Sequence, residues 1–154
     1  MRIVTCRLVI SALKKQDAFR IYEYRSKKEV EKYQSFKNYT LQEAKQTVLM
    51  DSPKNRAGEY QLGIYLNDLL IGDLYINIDH YKNCFIGYTL DSNYWHHGYG
   101  IEAVSSLIYF LYNTFKICNF YAYIDPNNLA SIKLVSKIGF RYIKNNIYGL
   151  NLYI

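Results

Sequence analysis

The sequence has 154 residues, half of them hydrophobic and 21% charged. That balance excludes wholesale disorder, and at roughly 100–200 residues per domain it implies one domain, residues 1–154. No apolar run approaches the ~20 residues of a membrane span, and Met1-Arg2-Ile3-Val4-Thr5-Cys6-Arg7 lacks the apolar core of a secretion signal, so a soluble, cytoplasmic protein with no membrane partner is expected. The net charge of +6 is unevenly spread: residues 1–58 hold 13 basic and 6 acidic side chains, residues 59–154 hold 6 and 7. A basic first third could face nucleic acid or lipid, but a solvated pair of helices is the plainer expectation. The 18 tyrosines form no periodic platform of the kind that stacks bases, so nucleic acid is not an expected partner. Cys6, Cys84 and Cys118 are far apart, with no zinc-type Cys/His spacing; reduced thiols and no metal are expected.

In chain order, residues 3–13 read as a strand, with Leu8 and Ile10 in imperfect alternation. A helix from about Gln16 to Arg25 places Ala18, Phe19 and Tyr22 on one stripe. Thr40-Leu41-Gln42-Glu43 is a capping box, opening a helix to about Met50 that Asp51-Ser52-Pro53 ends. The period then changes to that of strands. Tyr60–Leu66 and Leu69–Ile78 are joined at Asn67-Asp68, a pair suited to a tight hairpin, and a third strand, Phe85–Leu90, follows the turn around His80–Asn83. A helix from Tyr99 to Phe115 carries Val104, Leu107, Ile108, Leu111 and Phe115 at helical spacing. A strand, Phe120–Ile124, runs into Asp125-Pro126-Asn127-Asn128, a helix-start sequence, and the helix Leu129–Ile138 stops at Gly139, suited to a left-handed cap. Two last strands, about Phe140–Lys144 and Tyr148–Ile154, flank a turn at Asn145-Asn146. The order βααβββαβαββ predicts an α/β domain with a mixed sheet.

The chemistry-bearing segment is Tyr94-Trp95-His96-His97-Gly98-Tyr99-Gly100-Ile101-Glu102-Ala103, between a strand and a long helix. Glycines there let backbone amides turn toward an anion, and the helix start adds the positive end of its dipole. Gly98-Tyr99-Gly100-Ile101-Glu102-Ala103 also fits the dinucleotide fingerprint G-x-G-x-x-A, with Asp125 near where a ribose-binding acid belongs. The context excludes that reading. Seven residues separate the strand from the first glycine, the preceding strands are hairpin-linked, and too few βα units remain for a doubly wound sheet.

The pattern resembles the GNAT superfamily of N-acetyltransferases, specifically its ribosomal-protein (RimJ/RimL-like) branch. The family's phosphate motif is (Gln/Arg)-x-x-Gly-x-(Gly/Ala); Trp95 takes its first place and Gly98 and Gly100 match. Phe85-Ile86-Gly87-Tyr88-Thr89-Leu90-Asp91 looks like the branch's fourth strand, and Asp125-Pro126-Asn127-Asn128-Leu129-Ala130-Ser131-Ile132, ending in Gly139-Phe140, looks like its second cofactor motif. Thr5–Leu13 and Thr40-Leu41-Gln42-Glu43-Ala44 are weakly similar. The resemblance implies a twisted, mostly antiparallel sheet of about seven strands, splayed between the fourth and fifth and flanked by about four helices. It also implies acetyl transfer from acetyl-CoA to a primary amine. Backbone groups of Tyr88, Thr89 and Leu90 would pair with the pantetheine arm, and the Leu90 amide would polarise the thioester carbonyl. Amides from His96, His97, Gly98, Tyr99, Gly100 and Ile101 would hold the pyrophosphate, and Asn128 and Ser131 would contact the pantetheine and sulfur end.

Many family members place a tyrosine four residues before the glycine of the Gly-Phe pair, to protonate the leaving thiolate. That position here is Val135, so Ser131 is the candidate proton donor. Asp73 and Glu102 are the acids nearest the motifs. The acceptor is a peptide N-terminus or a small amine, reached through a mouth walled by the first helices and their linker, Ser26 to Tyr39. A GNAT-fold CoA-binding protein without transferase activity is the alternative. Monomer or homodimer both fit.

Overall fold

The computed structural model describes residues 1–146 and 150–154, and only the backbone of Asn151 and Leu152. In chain order its elements are β1 (Arg2–Val4), β2 (Val9–Ser11), α1 (Ala18–Arg25), α2 (Lys28–Glu31), α3 (Leu41–Thr47), β3 (Gly58–Leu66), β4 (Leu69–Ile78), β5 (Asn83–Leu90), α4 (Tyr99–Phe115), β6 (Asn119–Ile124), α5 (Leu129–Ile138), β7 (Tyr142–Asn145) and β8 (Asn151–Tyr153). The strands lie in the order β1-β2-β3-β4-β5-β6-β8-β7. All neighbours pair antiparallel except β5 and β6, which are parallel. This is the expected mixed, mostly antiparallel α/β sheet.

Among the described residues eight strands stand where about seven are expected, because the first one breaks. The Thr5 hydroxyl accepts from the Leu8 amide at 2.8 Å, and the Thr5 amide donates to the Leu8 carbonyl at 2.9 Å, which turns residues 3–13 into the β1–β2 hairpin. Five helices replace four, since α2 forms inside the segment expected as a linker; its single buried apolar side chain, Val30, leaves no period to read. In α1 the buried side chains are Ala18, Ile21, Tyr24 and Arg25, whereas Phe19 is 64% exposed. The expected stripe is rotated because Tyr24 and Arg25 turn inward to a distant carboxylate, Asp73. The capping box of α3 forms as expected, with Glu43 N to Thr40 Oγ1 at 3.2 Å and Thr40 N to Glu43 Oε2 at 2.7 Å, although the helix stops at Thr47 rather than Met50.

The central meander is tightly specified. Asn67 and Asp68 both take left-handed φ, 47° and 65°, as a two-residue hairpin turn requires. Between β3 and β4 the register shifts from Ile64↔Gly72 to Tyr65↔Leu70, so Ile71 is an extra residue, a bulge. Its carbonyl accepts from the Asp91 amide at 2.9 Å, tying the end of β5 to the bend. Gly72 sits where β4 and β5 crowd: a Cβ there would lie 2.4 Å from the Thr89 carbonyl oxygen.

Three apolar layers hold the sheet. Val104, Leu107 and Leu111 of α4 pack on Leu62, Leu74, Ile76 and Ile86; Ile21 and Tyr24 of α1 and Ala44 of α3 pack with Leu13, Tyr65 and Leu70 on the other face; Val135 of α5 packs with Ala122, Ile124, Phe140 and Tyr153. At the last hairpin β7 begins at Tyr142 and runs through Asn145, which pairs with Asn151. Asn145, expected in the turn, is therefore the last residue of β7, and the expected start of the last strand at Tyr148 lies outside the described residues. Among the described residues no helix is long and apolar enough to cross a membrane.

The first third's excess positive charge has a structural destination. Arg7 pairs with Glu102, Arg20 and Lys27 with Asp91, and Arg25 with Asp73. Four cations of residues 1–58 thus meet three acids of residues 59–154, fastening the N-terminal hairpin and α1 to the sheet and α4.

Candidate active site

Strands β5 and β6 pair only at Asn83↔Asn119, Cys84↔Phe120 and Phe85↔Tyr121; beyond Phe85 they part. Which backbone groups face the gap follows from strand geometry, because the N–H and C=O of one residue project to the same side and neighbouring residues to opposite sides. The Tyr88 carbonyl accepts from Gln34 Nε2 at 3.3 Å and the Leu90 carbonyl from Trp95 Nε1 at 3.0 Å, so both point away from β4, as do the amides of the same two residues. The Thr89 carbonyl lies against Gly72 of β4. The expectation that Thr89 offers backbone groups to the gap is therefore corrected: its carbonyl serves the β4–β5 ladder.

A cavity of about 680 Å³ runs from this gap to the start of α4, within the range of small-molecule sites. Tyr88, Thr89 and Leu90 line it, as do His96, Gly98, Tyr99, Gly100 and Ile101 at the α4 end and Asn128 and Ser131 of α5. His97 does not. Its Nδ1 turns back to the Trp95 carbonyl at 2.6 Å, its ring stacks on Tyr99, and its carbonyl accepts from Arg7 Nη1 at 2.9 Å. The resemblance implies a pyrophosphate contact from the His97 amide alone; its side chain and carbonyl are turned to Trp95, Tyr99 and Arg7.

The loop owes its shape to two left-handed residues, His96 at φ 64° and Gly98 at φ 78°, and α4 follows with unpaired first-turn amides. Gly100 has a different reason to be glycine. A Cβ there would lie 2.7 Å from Leu134 Cδ1 and 3.4 Å from Leu90 Cδ1, so its smallness lets α4 close onto α5 and β5.

At the gap end, Asn128 caps α5, its Oδ1 accepting from the Ser131 amide at 3.2 Å. The Ser131 carbonyl accepts from the Tyr88 hydroxyl at 3.2 Å, and the Ser131 hydroxyl lies close enough to that phenol to oppose part of the rise in its pKa. The Tyr88 phenol is thus a strut from β5 to α5, its proton committed and its pKa pushed by burial up to about 12. Val135 is 1% exposed in the β6–α5 core and does not line the cavity.

Neither acid nearest the motifs reaches the cavity. Asp73 is buried among Tyr24 Oη at 2.5 Å, Arg25 Nη2 at 2.5 Å and Gln61 Nε2 at 2.6 Å. Glu102 accepts from Thr5 Oγ1 at 2.5 Å and from Arg7 N and Nε at 2.9 and 2.7 Å; burial raises its pKa, and the bonds from Thr5 and Arg7 more than offset this and hold it below the usual value. The only carboxylate lining the cavity among the described residues is Glu29 of α2, whose Oε1 accepts from Ser92 Oγ at 2.8 Å. Its own backbone amide and Ser92 lower its pKa, so it is ionised at neutral pH. The cations on the cavity wall are Lys32, Lys133 and Lys137. The wall from Glu29 to Gln34 belongs to the segment expected to flank the acceptor. Gln34, which fills a backbone acceptor inside the gap, carries no sequence signal.

A parted strand pair beside a glycine turn at a helix start is the arrangement that the sequence resemblance implied. The family model for the acetyltransferase (GNAT) domain matches residues 7–141. The chain belongs to the GNAT acetyltransferase family. Members of this family are acetyl-CoA-dependent acyltransferases. The chain is 28% identical over 145 residues to the uncharacterized N-acetyltransferase p20 of Bacillus licheniformis, covering 90% of this chain and 82% of that one. Among solved structures, a GNAT-family acetyltransferase from Bacillus anthracis superposes with a TM-score of 0.85 at 23% identity, over 99% of this chain and 95% of that one. RimL, a ribosomal L7/L12 alpha-N-protein acetyltransferase in complex with coenzyme A, superposes with a TM-score of 0.82 at 16% identity, over 99% and 96%. These likenesses establish the fold of the GNAT chain.

Proposed function

We propose that this GNAT protein transfers acetyl from acetyl-CoA to the primary amine of a peptide N-terminus or a weakly charged small amine. The observation that carries the reading is the pair of backbone sites, Tyr88 and Leu90, facing the β5–β6 gap at one end of a cavity whose other end is the His96–Ile101 turn. The residues fit coenzyme A. The gap offers a strand-like edge to the pantetheine arm, and the turn offers amides at a helix start to the pyrophosphate. The solved complex of RimL with coenzyme A supports the same assignment.

Acetyl-CoA supplies an activated thioester. The Leu90 N–H lies on the gap side, where it polarises the thioester carbonyl. Ser131 Oγ, beside Asn128 and the Tyr88 phenol, relays a proton to the departing thiolate and takes one back from water. Glu29 receives the acceptor's ammonium at the mouth, and water removes the proton from there. With three lysines against one carboxylate on the wall, a polycation such as spermine is disfavoured. Free, exposed Cys6 and Cys118 support a reducing, cytosolic setting.

The test is thiol release from acetyl-CoA across a panel of peptide N-termini, small monoamines and spermine. Release with peptides or monoamines above spermine is expected; a higher kcat/KM for spermine overturns the acceptor class. The core position of Val135 favours one second reading, a CoA-binding protein without transfer. Tight acetyl-CoA binding with no release by any amine would establish that reading instead.

A further inference from the structure

We propose that Arg7, outside the cavity, is the positioning residue that aims the anion-binding turn; this rests on the acetyl-CoA reading above. Arg7 does not line the cavity, and 90 residues separate it from His97. Its guanidinium nonetheless makes a closed circuit behind the turn. Nε is fixed by Glu102 Oε2 at 2.7 Å, the planar group lies 4.5 Å from the centre of the Tyr99 ring, and Nη1 donates to the His97 carbonyl at 2.9 Å. The Glu102 amide in turn donates to the Gly98 carbonyl at 3.1 Å. Arg7 therefore ties the first turn of α4 to the peptide just before it.

The consequence follows from peptide planarity. In a trans peptide the C=O and the next N–H point in opposite directions. Drawing the His97 carbonyl outward to Arg7 turns the Gly98 N–H the other way, on the side where Gly98 lines the cavity. Without that bond, a turn built on two left-handed residues has little to hold this peptide plane, because Gly98 itself is conformationally free. The fork geometry matters as well as the charge: one nitrogen holds the helix and another holds the turn, which an ammonium on a flexible stem does not reproduce. Glu102 completes the device by orienting Arg7, and Thr5, bonded to the same carboxylate at 2.5 Å, fixes Glu102.

The test compares wild type, Arg7→Ala and Arg7→Lys for calorimetric binding of CoA and of S-acetylpantetheine, which lacks the pyrophosphate. Loss of an oriented hydrogen bond to a charged group predicts CoA binding weaker by about tenfold or more in both variants. Binding of S-acetylpantetheine should be unchanged, and the CoA-induced shift of the Gly98 amide resonance should disappear. In turnover the KM for acetyl-CoA rises while kcat at saturation holds. Equal losses for the two ligands would mark a general structural role and overturn the proposal, as would an unimpaired Arg7→Lys, which would reduce the effect to charge. If Arg7→Ala fails to fold, Arg7→Lys and Glu102→Gln carry the same comparison. Wild-type protein that binds no CoA would overturn the acetyltransferase reading itself; wild type that binds CoA with both variants unimpaired overturns the role of Arg7 alone.

Discussion

Arg25 and Asp73 meet beneath α1 at 2.5 Å, with the arginine 8% and the aspartate 1% exposed. Each is further satisfied: Asp73 by Tyr24 and Gln61, Arg25 by the rings of Phe36 and Tyr39, whose centres lie 4.7 and 5.0 Å away. Removing one partner strands a buried charge. Arg25→Met should lower unfolding free energy by about 3–5 kcal/mol, whereas Arg25→Met with Asp73→Leu recovers much of the loss. Denaturant unfolding of the single and double variants measures this; a double variant no more stable than Arg25→Met would contradict it.

The two glycines of the turn should fail differently. At Gly98, φ 78° makes any side chain strained, and Gly98→Ala should cost about 1–2 kcal/mol together with CoA affinity. At Gly100 the obstacle is the tip of the Leu134 side chain, which can shift, so Gly100→Ala is mild while Gly100→Val forces α4 from α5 and weakens CoA binding severely. His97→Ala should change affinity far less than either Gly98→Ala or Gly100→Val. Calorimetric titration with CoA gives the ranking, and equal losses at Gly100→Val and His97→Ala would refute it.

Ser131 and Glu29 should separate kinetically. Ser131→Ala lowers kcat and leaves the acetyl-CoA Kd within a few-fold, since its amide, not its hydroxyl, makes the cap with Asn128. Glu29→Gln raises the amine KM with acetyl-CoA binding intact. An unchanged kcat for Ser131→Ala across pH 6–9 would remove it from the donor role.

Acid should act through Asp91. Its burial pushes the pKa up, but hydrogen bonds from Lys27 and Arg20 outweigh that and hold it below the ordinary value. A carboxyl lowered on folding stabilises fully above its unfolded pKa, ~3.9, and loses that contribution as pH falls through the folded value. The Tm should hold down to about pH 5 and drop below about pH 4. In Asp91→Asn the Tm starts lower and falls less steeply. Parallel Tm curves for the two proteins would exclude the assignment.

What the sequence revealed tracks how local each signal is. The bounds of α4 and α5 are written next to them, in Gly98, Asn128 and Gly139, and both helices begin and end where expected. The Asn67-Asp68 hairpin is equally local. The buried face of α1 is not written locally, because Asp73 lies 48 residues from Arg25. The break in the first strand is equally hidden, because Thr5 closes a turn that apolar alternation does not report. At the site, the three residues after Gly87 and the Gly98–Ile101 turn were legible by motif; Gln34, Lys137 and the part played by Trp95 were not, since each reaches the cavity from another element or through a single side-chain atom.

The long-range ion pairs also bear on the order of assembly during synthesis. Arg25 waits for Asp73, Lys27 waits 64 residues for Asp91, and Arg7 waits 95 residues for Glu102. The hairpin can join β3 as soon as that strand follows, but the emerging first third gains its counter-charges one by one, from Asp73, then Asp91, and for Arg7 only when α4 brings Glu102. Such long-range closures slow folding. The turn before α4 therefore gains its tie to the N-terminal hairpin late, and until then the nascent first third carries an excess positive charge open to polyanions.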